Sequence, residues 1–248
     1  MPALATCSDE YAMLVFNVNN QEILEQKRAY DLKYPASLVK MMTLYLTFEA
    51  VEQGKLDDDT KLIVSERVAN QWKFNADLEV GDIVTVREAI LGIIVKSFND
   101  FAVILAEAVG KNEWEFVKLM NEKAKELGLE NTSFRNATGF TDLQQTTTAY
   151  DMMKLVQAIK QNFPKQYTLF ATKEFEFKGK IFESHNHVLT DYKWAEGMKT
   201  GFTNASGYNL ATTAKKGEKD LIAIVISCSA IEDRDDFMIG TLDKYLEE

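Results

Sequence analysis

Tyr34-Pro35-Ala36-Ser37-Leu38-Val39-Lys40-Met41-Met42-Thr43 sets a hydroxyl and an amine three residues apart where an apolar run begins. Positions i and i+3 share a helix face. Pro35 holds the residue before it extended. From Leu38 to Val51 there are good helix formers, apolar residues at helical spacing and neither Gly nor Pro, which predicts a helix ending near Gly54. Ser37 then falls in the first turn, where unpaired backbone N–H groups and the positive end of the helix dipole favour an alkoxide or a developing oxyanion. A serine nucleophile needs a base within hydrogen-bond reach. A lysine whose pKa is depressed by burial or by nearby cations can be that base, which casts Lys40 in the role. By itself the motif also reads as an N-cap serine and a surface lysine, and about one Ser-x-x-Lys is expected by chance in a chain this long.

Before this stretch, Tyr11 to Val18 is strand-like, Asn19-Asn20 signals a two-residue turn, and Gln21 to Lys27 returns antiparallel, giving a hairpin. After it the pattern stays mostly helical to about residue 163. Segments starting at Ser65, Val84, Phe101, Trp114 and Thr148 each carry helical periodicity, with Gly128 and Pro164 as stops. Beyond Pro164 the period changes. Glu174 to Phe182 forms a small hairpin around Lys178-Gly179, and Trp194–Thr200, Gly207–Ala214 and Lys219–Ser227 read as three strands. Asp233 to Leu246 is an amphipathic helix. Strands at both ends with helices between them predict an α+β chain: one sheet assembled from both termini, carrying a helical insertion. No repeat or linker divides it, so it is read as one domain, with a sheet part at about 8–45 and 165–248 and a helical part at about 46–164.

A chain of 248 residues with 46% hydrophobic and 27% charged residues can bury a substantial core. Its formal net charge of −10 argues against a nucleic-acid partner. The longest apolar runs, Ala102 to Ala106 and Leu221 to Cys228, are too short to cross a bilayer. Met1 to Thr6 has no basic n-region or apolar h-region, so no export signal is read there. Cys7 and Cys228 lack metal-ligand spacing; both lie near predicted strand ends, which leaves a bridge open, with free thiols the favoured reading. His185-Asn186-His187 lacks the further ligands of a metal site, and its histidines are read as polar strand or loop residues. No metal or other cofactor is expected.

Two more motifs follow in order. Ser97-Phe98-Asn99-Asp100 lies between two apolar helical segments that can fix a loop presenting a hydroxyl and a carboxamide. Ser184-His185-Asn186 also fits Ser-x-Asn, but sits among strand residues shortly before the next motif, and Ser97 is preferred. Lys199-Thr200-Gly201 ends a predicted strand: a fixed cation, a hydroxyl that can hold a carboxylate, and a glycine that lets a substrate backbone approach. As a triplet alone it is also an ordinary strand end and turn.

Ser-x-x-Lys, Ser-x-Asn and Lys-Thr-Gly in this order form the motif set of penicillin-interacting serine enzymes. From Tyr11 to Leu246 the chain resembles the D-alanyl-D-alanine carboxypeptidases, the low-molecular-mass penicillin-binding proteins. Beyond the motifs the likeness includes Asn99-Asp100, Met120-Asn121, Leu127-Gly128-Leu129, Thr138-Gly139, Gly197 to Thr203 and Ser206-Gly207-Tyr208-Asn209-Leu210. It implies a β-lactamase/transpeptidase-like fold, a five-stranded antiparallel sheet with flanking helices and a largely helical insertion. It also implies roles: Ser37 as nucleophile, Lys40 as base, Ser97 as proton relay and Asn99 holding the substrate amide. Lys199 would supply positive potential and Thr200 would meet the terminal carboxylate beside Gly201. The backbone N–H groups of Ser37 and Phe202 would form the oxyanion hole. Arg234 stands between a carboxylate-steering cation and a solvated helix-end charge. The implied partners are peptidoglycan stem peptides ending in D-Ala-D-Ala, and β-lactams as acylating inhibitors. The implied address is extracytoplasmic.

The chain departs from the family at Val39, where Thr is usual, at the bulky Phe98, and over Gln71 to Asp77, which lacks the usual small residues. The family's C-terminal β-domain and membrane-anchoring helix have no counterpart, so they are expected to be absent from this protein or omitted from the sequence as it stands. A β-lactamase on the same fold is the nearest rival, but no Glu-x-x-Leu-Asn segment stands between Asn131 and Thr148 to activate a deacylating water. A non-catalytic penicillin sensor or wall-binding module is the rival from another class, separable by release of D-alanine.

Overall fold

In β1 (Ala12–Asn17), Ala12, Leu14 and Phe16 turn to one hydrophobic core while Met13 and Val15 turn to another, and all five are buried. A strand apolar on both faces must be covered on both. The computed structural model, which describes residue 7 and residues 10–247, shows how; Met1 to Thr6, read above for an export signal, lie outside the described residues. After β1 come β2 (Glu22–Lys27), a 3-10 turn (Ala36–Val39) and α1 (Lys40–Glu52). Next are β3 (Lys61–Ile63), α2 (Glu66–Ala69), β4 (Ile83–Thr85), α3 (Val86–Lys96), α4 (Asn99–Gly110), α5 (Glu113–Glu126), α6 (Ala149–Asn162) and α7 (Pro164–Tyr167). The chain closes with β5 (Glu174–Phe177), β6 (Lys180–Glu183), α8 (His187–Asp191), β7 (Ala195–Thr203), β8 (Gly207–Lys216), β9 (Lys219–Cys228) and α9 (Ile231–Leu246).

The principal sheet has five antiparallel strands in the order β2-β1-β9-β8-β7, so strands from both chain ends meet at the β1/β9 pair, as expected. β9 repeats the two-sided pattern, with Ile222, Ile224 and Ile226 in the larger core and Leu221, Ala223 and Val225 in the smaller. α6 covers the first face and α9 the second. Ten residues of α1 are buried, from Lys40 to Phe48 and at Ala50, because the helix is enclosed by α4, α5 and α6 rather than lying on the surface. Local signals set many helix ends. Thr85 and Glu88 form a capping box at α3, Asn112 and Thr148 cap α5 and α6, and Gly128 follows α5 at φ +68°.

Four expectations need correction. The first hairpin turns over Val18 to Gln21, four residues instead of two, with Gln21 at φ +60°. β3 and β4 pair within the stretch read as helical; at three residues each they are too short to show alternation. Lys199-Thr200-Gly201 lies inside β7, which runs on to Thr203 along the free edge of the sheet. Cys7 and Cys228 are joined by a disulfide, against the preference for free thiols, because Cys7 lies beside the end of β9 with the two Cα atoms 4.6 Å apart. Among the described residues no helix is long and apolar enough to cross a membrane.

Candidate active site

The Ser37 turn is shaped from outside itself. Ala36 takes a left-handed φ of +47°, and Ser37 follows in the 3-10 turn leading into α1. Two glycines press on this backbone. A Cβ at Gly139, whose φ is +91°, would stand 2.1 Å from Ala36 O and 2.8 Å from Ser37 N. One at Gly201 would lie 3.1 Å from both Pro35 O and Ser37 N, so β7 approaches the turn as closely as backbone allows. Asn209 of β8 completes the clamp, donating from Nδ2 to Tyr34 O at 3.1 Å and Pro35 O at 3.0 Å.

Lys40 begins α1 with its side chain wholly buried, and its Nζ lies 3.0 Å from Ser37 Oγ. The same nitrogen donates to Asn99 Oδ1 at 2.7 Å and to Thr138 O. Asn99 Nδ2 donates to Lys73 O at 2.9 Å, which fixes the amide with its oxygen toward Lys40. Burial first, then Lys199, holds the Lys40 pKa well below the usual lysine value, against the opposing pull of Asp100. A neutral amine has two N–H groups and one lone pair. Asn99 Oδ1 and Thr138 O can only accept, so in the neutral form they would use both hydrogens and leave the lone pair for the Ser37 hydroxyl.

Ser97 ends α3 in a left-handed conformation, φ +60°, and is buried on the wall of the same cleft; among the described residues its Oγ has no hydrogen-bond partner. Phe98 borders the cleft and packs into an aromatic cluster, with ring centroids 5.5 Å from Phe101 and 5.3 Å from Phe182, so much of its bulk is taken up between α3/α4 and the small hairpin. The Gln71 to Asp77 segment borders the cleft at Phe74 and is tied to the start of α4, where Asn99 N donates to Phe74 O at 2.6 Å and Ala76 N to Asp100 Oδ2 at 2.7 Å.

A pocket of about 420 Å³ opens between Ser37, Ser97, His185, Thr200 and Arg234; a second of about 230 Å³ lies on the far side of Ser37, between Trp72, Phe74, Asn99 and Phe140. Lys199 is buried with Nζ donating to Thr200 O at 2.9 Å, and burial followed by Arg234 brings its pKa down to about 7. Phe202 is 40% exposed and stacks on Tyr208 at 4.4 Å. Arg234 is not the solvated helix-end charge held open above. It is buried beneath the pocket, held by Asp235 Oδ1 at 2.8 Å from Nε, with Nη1 directed at Asn209 O.

The structure therefore brings Ser37, Lys40 and Asn99 into direct contact, and sets Ser97, Thr200, Gly201, Phe202 and Arg234 around one cleft with Lys199 buried beside them. Sequence reasoning left two residues of the cleft without a role. Thr138 acts through a backbone carbonyl, which has no side-chain signature. His185, read as a polar strand or loop residue, points its Nε2 at Thr200 Oγ1, 2.8 Å away, while Asn186 caps α8 and His187 opens it. The available signal was its place within Ser184-His185-Asn186, a short distance before Lys199. An activated hydroxyl, close backbone amides and a cationic pocket floor can attack a carbonyl, hold an oxyanion and receive an anion.

The sequence matches the family described as D-alanyl-D-alanine carboxypeptidase, peptidase S11, over residues 5–230. It is 35% identical over 227 residues to the D-alanyl-D-alanine carboxypeptidase DacF of Bacillus subtilis, a match covering 90% of this chain and 58% of that protein. The chain thus spans less than two thirds of that relative's length. Among solved structures it is similar to penicillin binding protein 5 from Haemophilus influenzae, with a TM-score of 0.92 and 30% identity over 98% of this chain and 72% of that one. It is also similar to Penicillin-Binding Protein D2 from Listeria monocytogenes in its cefotaxime bound form, with a TM-score of 0.83 and 27% identity over 93% and 95% of the two chains.

Proposed function

The chain belongs to the D-alanyl-D-alanine carboxypeptidase family, and on that premise we propose that it removes the terminal D-alanine from peptidoglycan stem peptides through an acyl-enzyme on Ser37. The observation that carries this reading is the Lys40 amine, buried, 3.0 Å from Ser37 Oγ and within hydrogen-bond reach of Asn99 Oδ1 and Thr138 O. Ser37 Oγ attacks the carbonyl carbon of the penultimate D-alanine as its proton passes to Lys40 Nζ. The backbone N–H groups of Ser37 and Phe202 receive the oxyanion. When the tetrahedral intermediate collapses, the C–N bond breaks and the departing amine takes a proton from Lys40 by way of Ser97. Water then attacks the ester, Lys40 accepts its proton, and Ser37 leaves with a proton restored.

Asn99 holds the substrate amide, while Thr200, with Lys199 and Arg234 beside it, receives the terminal carboxylate. β-Lactams, which combine a strained amide with a carboxylate, enter the same cleft and acylate Ser37. The protein works on the extracytoplasmic side of the membrane. The Cys7–Cys228 bridge supports that address, since disulfides persist in oxidising compartments.

Free D-alanine released from diacetyl-Lys-D-Ala-D-Ala tests the activity, and intact-protein mass spectrometry after penicillin tests the nucleophile. The expected adduct has the mass of the whole drug, maps to Ser37 and disappears in Ser37→Ala. An adduct on Ser97 or Ser184 overturns the assignment, labelling without release of D-alanine turns the reading to a penicillin sensor, and rapid loss of the adduct with hydrolysed drug turns it to a β-lactamase.

A further inference from the structure

Thr200 has one hydroxyl proton, and where it points decides whether the pocket attracts or repels a carboxylate. If the proton is given to His185, two oxygen lone pairs face the pocket. If His185 gives a proton to Thr200 Oγ1 instead, the hydroxyl proton is released toward the ligand. The 2.8 Å separation of His185 Nε2 and Thr200 Oγ1 requires one arrangement or the other. The surroundings limit the ring further. Burial, then Lys199 of β7, Lys96 of α3, Arg234 of α9 and Lys40 of α1 together bring the His185 pKa down to about 3. The ring is neutral at working pH and carries a single N–H, so its tautomer sets the direction of the Thr200 hydroxyl.

We propose that His185 is a positioning residue: as the Nε2–H tautomer it donates to Thr200 Oγ1 and so turns the Thr200 hydroxyl proton toward the terminal carboxylate of the substrate. The inference rests on the carboxypeptidase reading and adds a determinant of its substrate class. His185 touches neither the scissile bond nor Ser37; its effect passes through one hydroxyl. An arriving carboxylate, which only accepts, selects this arrangement over the reverse one. Because the ring is neutral, it can take either tautomer without adding a further positive charge to a pocket that already holds Lys199 and Arg234.

Two thioesters of diacetyl-Lys-D-Ala isolate the effect, one with a thiolactate leaving group that carries the carboxylate and one with ethanethiol, which has none. His185→Phe keeps a ring of similar volume and removes the donor. It should lower kcat/KM for the thiolactate ester about tenfold, the scale of one hydrogen bond to a charged group, and change the ethanethiol ester by less than about twofold. His185→Gln places an amide N–H near the position of Nε2 and should restore most of the loss. In a Thr200→Val background His185→Phe should add nothing. The chain has only two histidines, so ¹⁵N-histidine spectra with a slowly hydrolysed β-lactam bound should show the His185 ring protonated at Nε2 and bare at Nδ1.

Equal losses on both thioesters, additive losses in the Thr200→Val background, or an Nδ1–H ring would overturn the proposal while leaving the carboxypeptidase reading in place. A parent protein inactive on both thioesters and unlabelled by penicillin would overturn the two together.

Discussion

Lys40 and Lys199 are both buried lysines in one cleft, and both pKa values are lowered, by burial first and then by each one's own neighbours. Lys40 Nζ donates to Asn99 Oδ1 and Thr138 O, and burial followed by Lys199 holds its pKa well below the normal lysine range, which favours the neutral amine that the proposed base role needs. Lys40→Arg keeps a cation and abolishes the lone pair. Acylation by penicillin should fall by about 10²–10⁴-fold, the usual contribution of a general base, and parental rates in this variant would remove Lys40 from the mechanism. Lys199, at about 7, titrates within the working range. A carboxylate ligand favours its ammonium form, so affinity for carboxylate-bearing substrates is full below pH 7 and declines as pH rises through it. The profile of kcat/KM should show that descending limb for the thiolactate ester and lack it for the ethanethiol ester. A thiolactate profile flat to about pH 9 would contradict the charge role given to Lys199.

At the scale of elements, the site is a junction of backbones. The 3-10 turn bearing Ser37 is gripped between β7 at Gly201 and the loop at Gly139, and α1 is tied to that loop by Thr43 Oγ1 donating to Ala137 O at 2.8 Å. Two glycines with positive φ separate conformational cost from packing. Gly54, just after α1, has φ +68° and open space where a Cβ would go, whereas a Cβ at Gly139 would collide with Ala36 O. Gly54→Ala should cost about 1 kcal/mol and leave acylation unchanged. Gly139→Ala should both lower the melting temperature further and slow acylation at least about tenfold, because the turn cannot shift without moving Ser37 off Lys40. Indistinguishable acylation rates in the two variants would show that the Gly139 contact does not hold the nucleophile.

In the whole molecule, the centre of the sheet joins an early strand to a late one. β1 lies beside β9, and the Cys7–Cys228 bridge spans 221 residues of sequence at that seam. A loop of that size, by the chain-entropy account, destabilises the unfolded state by up to about 5 kcal/mol, and removing native bridges commonly costs about 2–5 kcal/mol. Cys7→Ser with Cys228→Ser should therefore lower the melting temperature clearly while the folded fraction still forms the penicillin adduct, since neither sulfur lies in the Ser37 cleft. Loss of labelling in protein shown by circular dichroism to be folded would mean that the seam also shapes the site.

Features carried by local spacing were readable from the chain: the first hairpin, the helices between residues 65 and 162, the run of strands after Trp194, and Ser37 three residues before Lys40. Each depends on neighbours in sequence, so periodicity, caps and turn residues report it. The ordered triplet of motifs went further, since its resemblance to a known family anticipated the five-stranded sheet. Tertiary structure alone decided the rest. The depressed pKa values of Lys40, His185 and Lys199 come from burial and from charges on other elements, which no local pattern carries. The Thr138 carbonyl, the turn of His185 toward Thr200, the burial of Arg234 and the pairing of Cys7 with Cys228 exist only because packing the sheet between α6 and α9 brings distant segments together. The sequence by itself determined which chemical groups are present and how neighbouring ones are spaced; the fold decided which of them meet and in what state of charge, because contact and solvation are properties of the packed molecule.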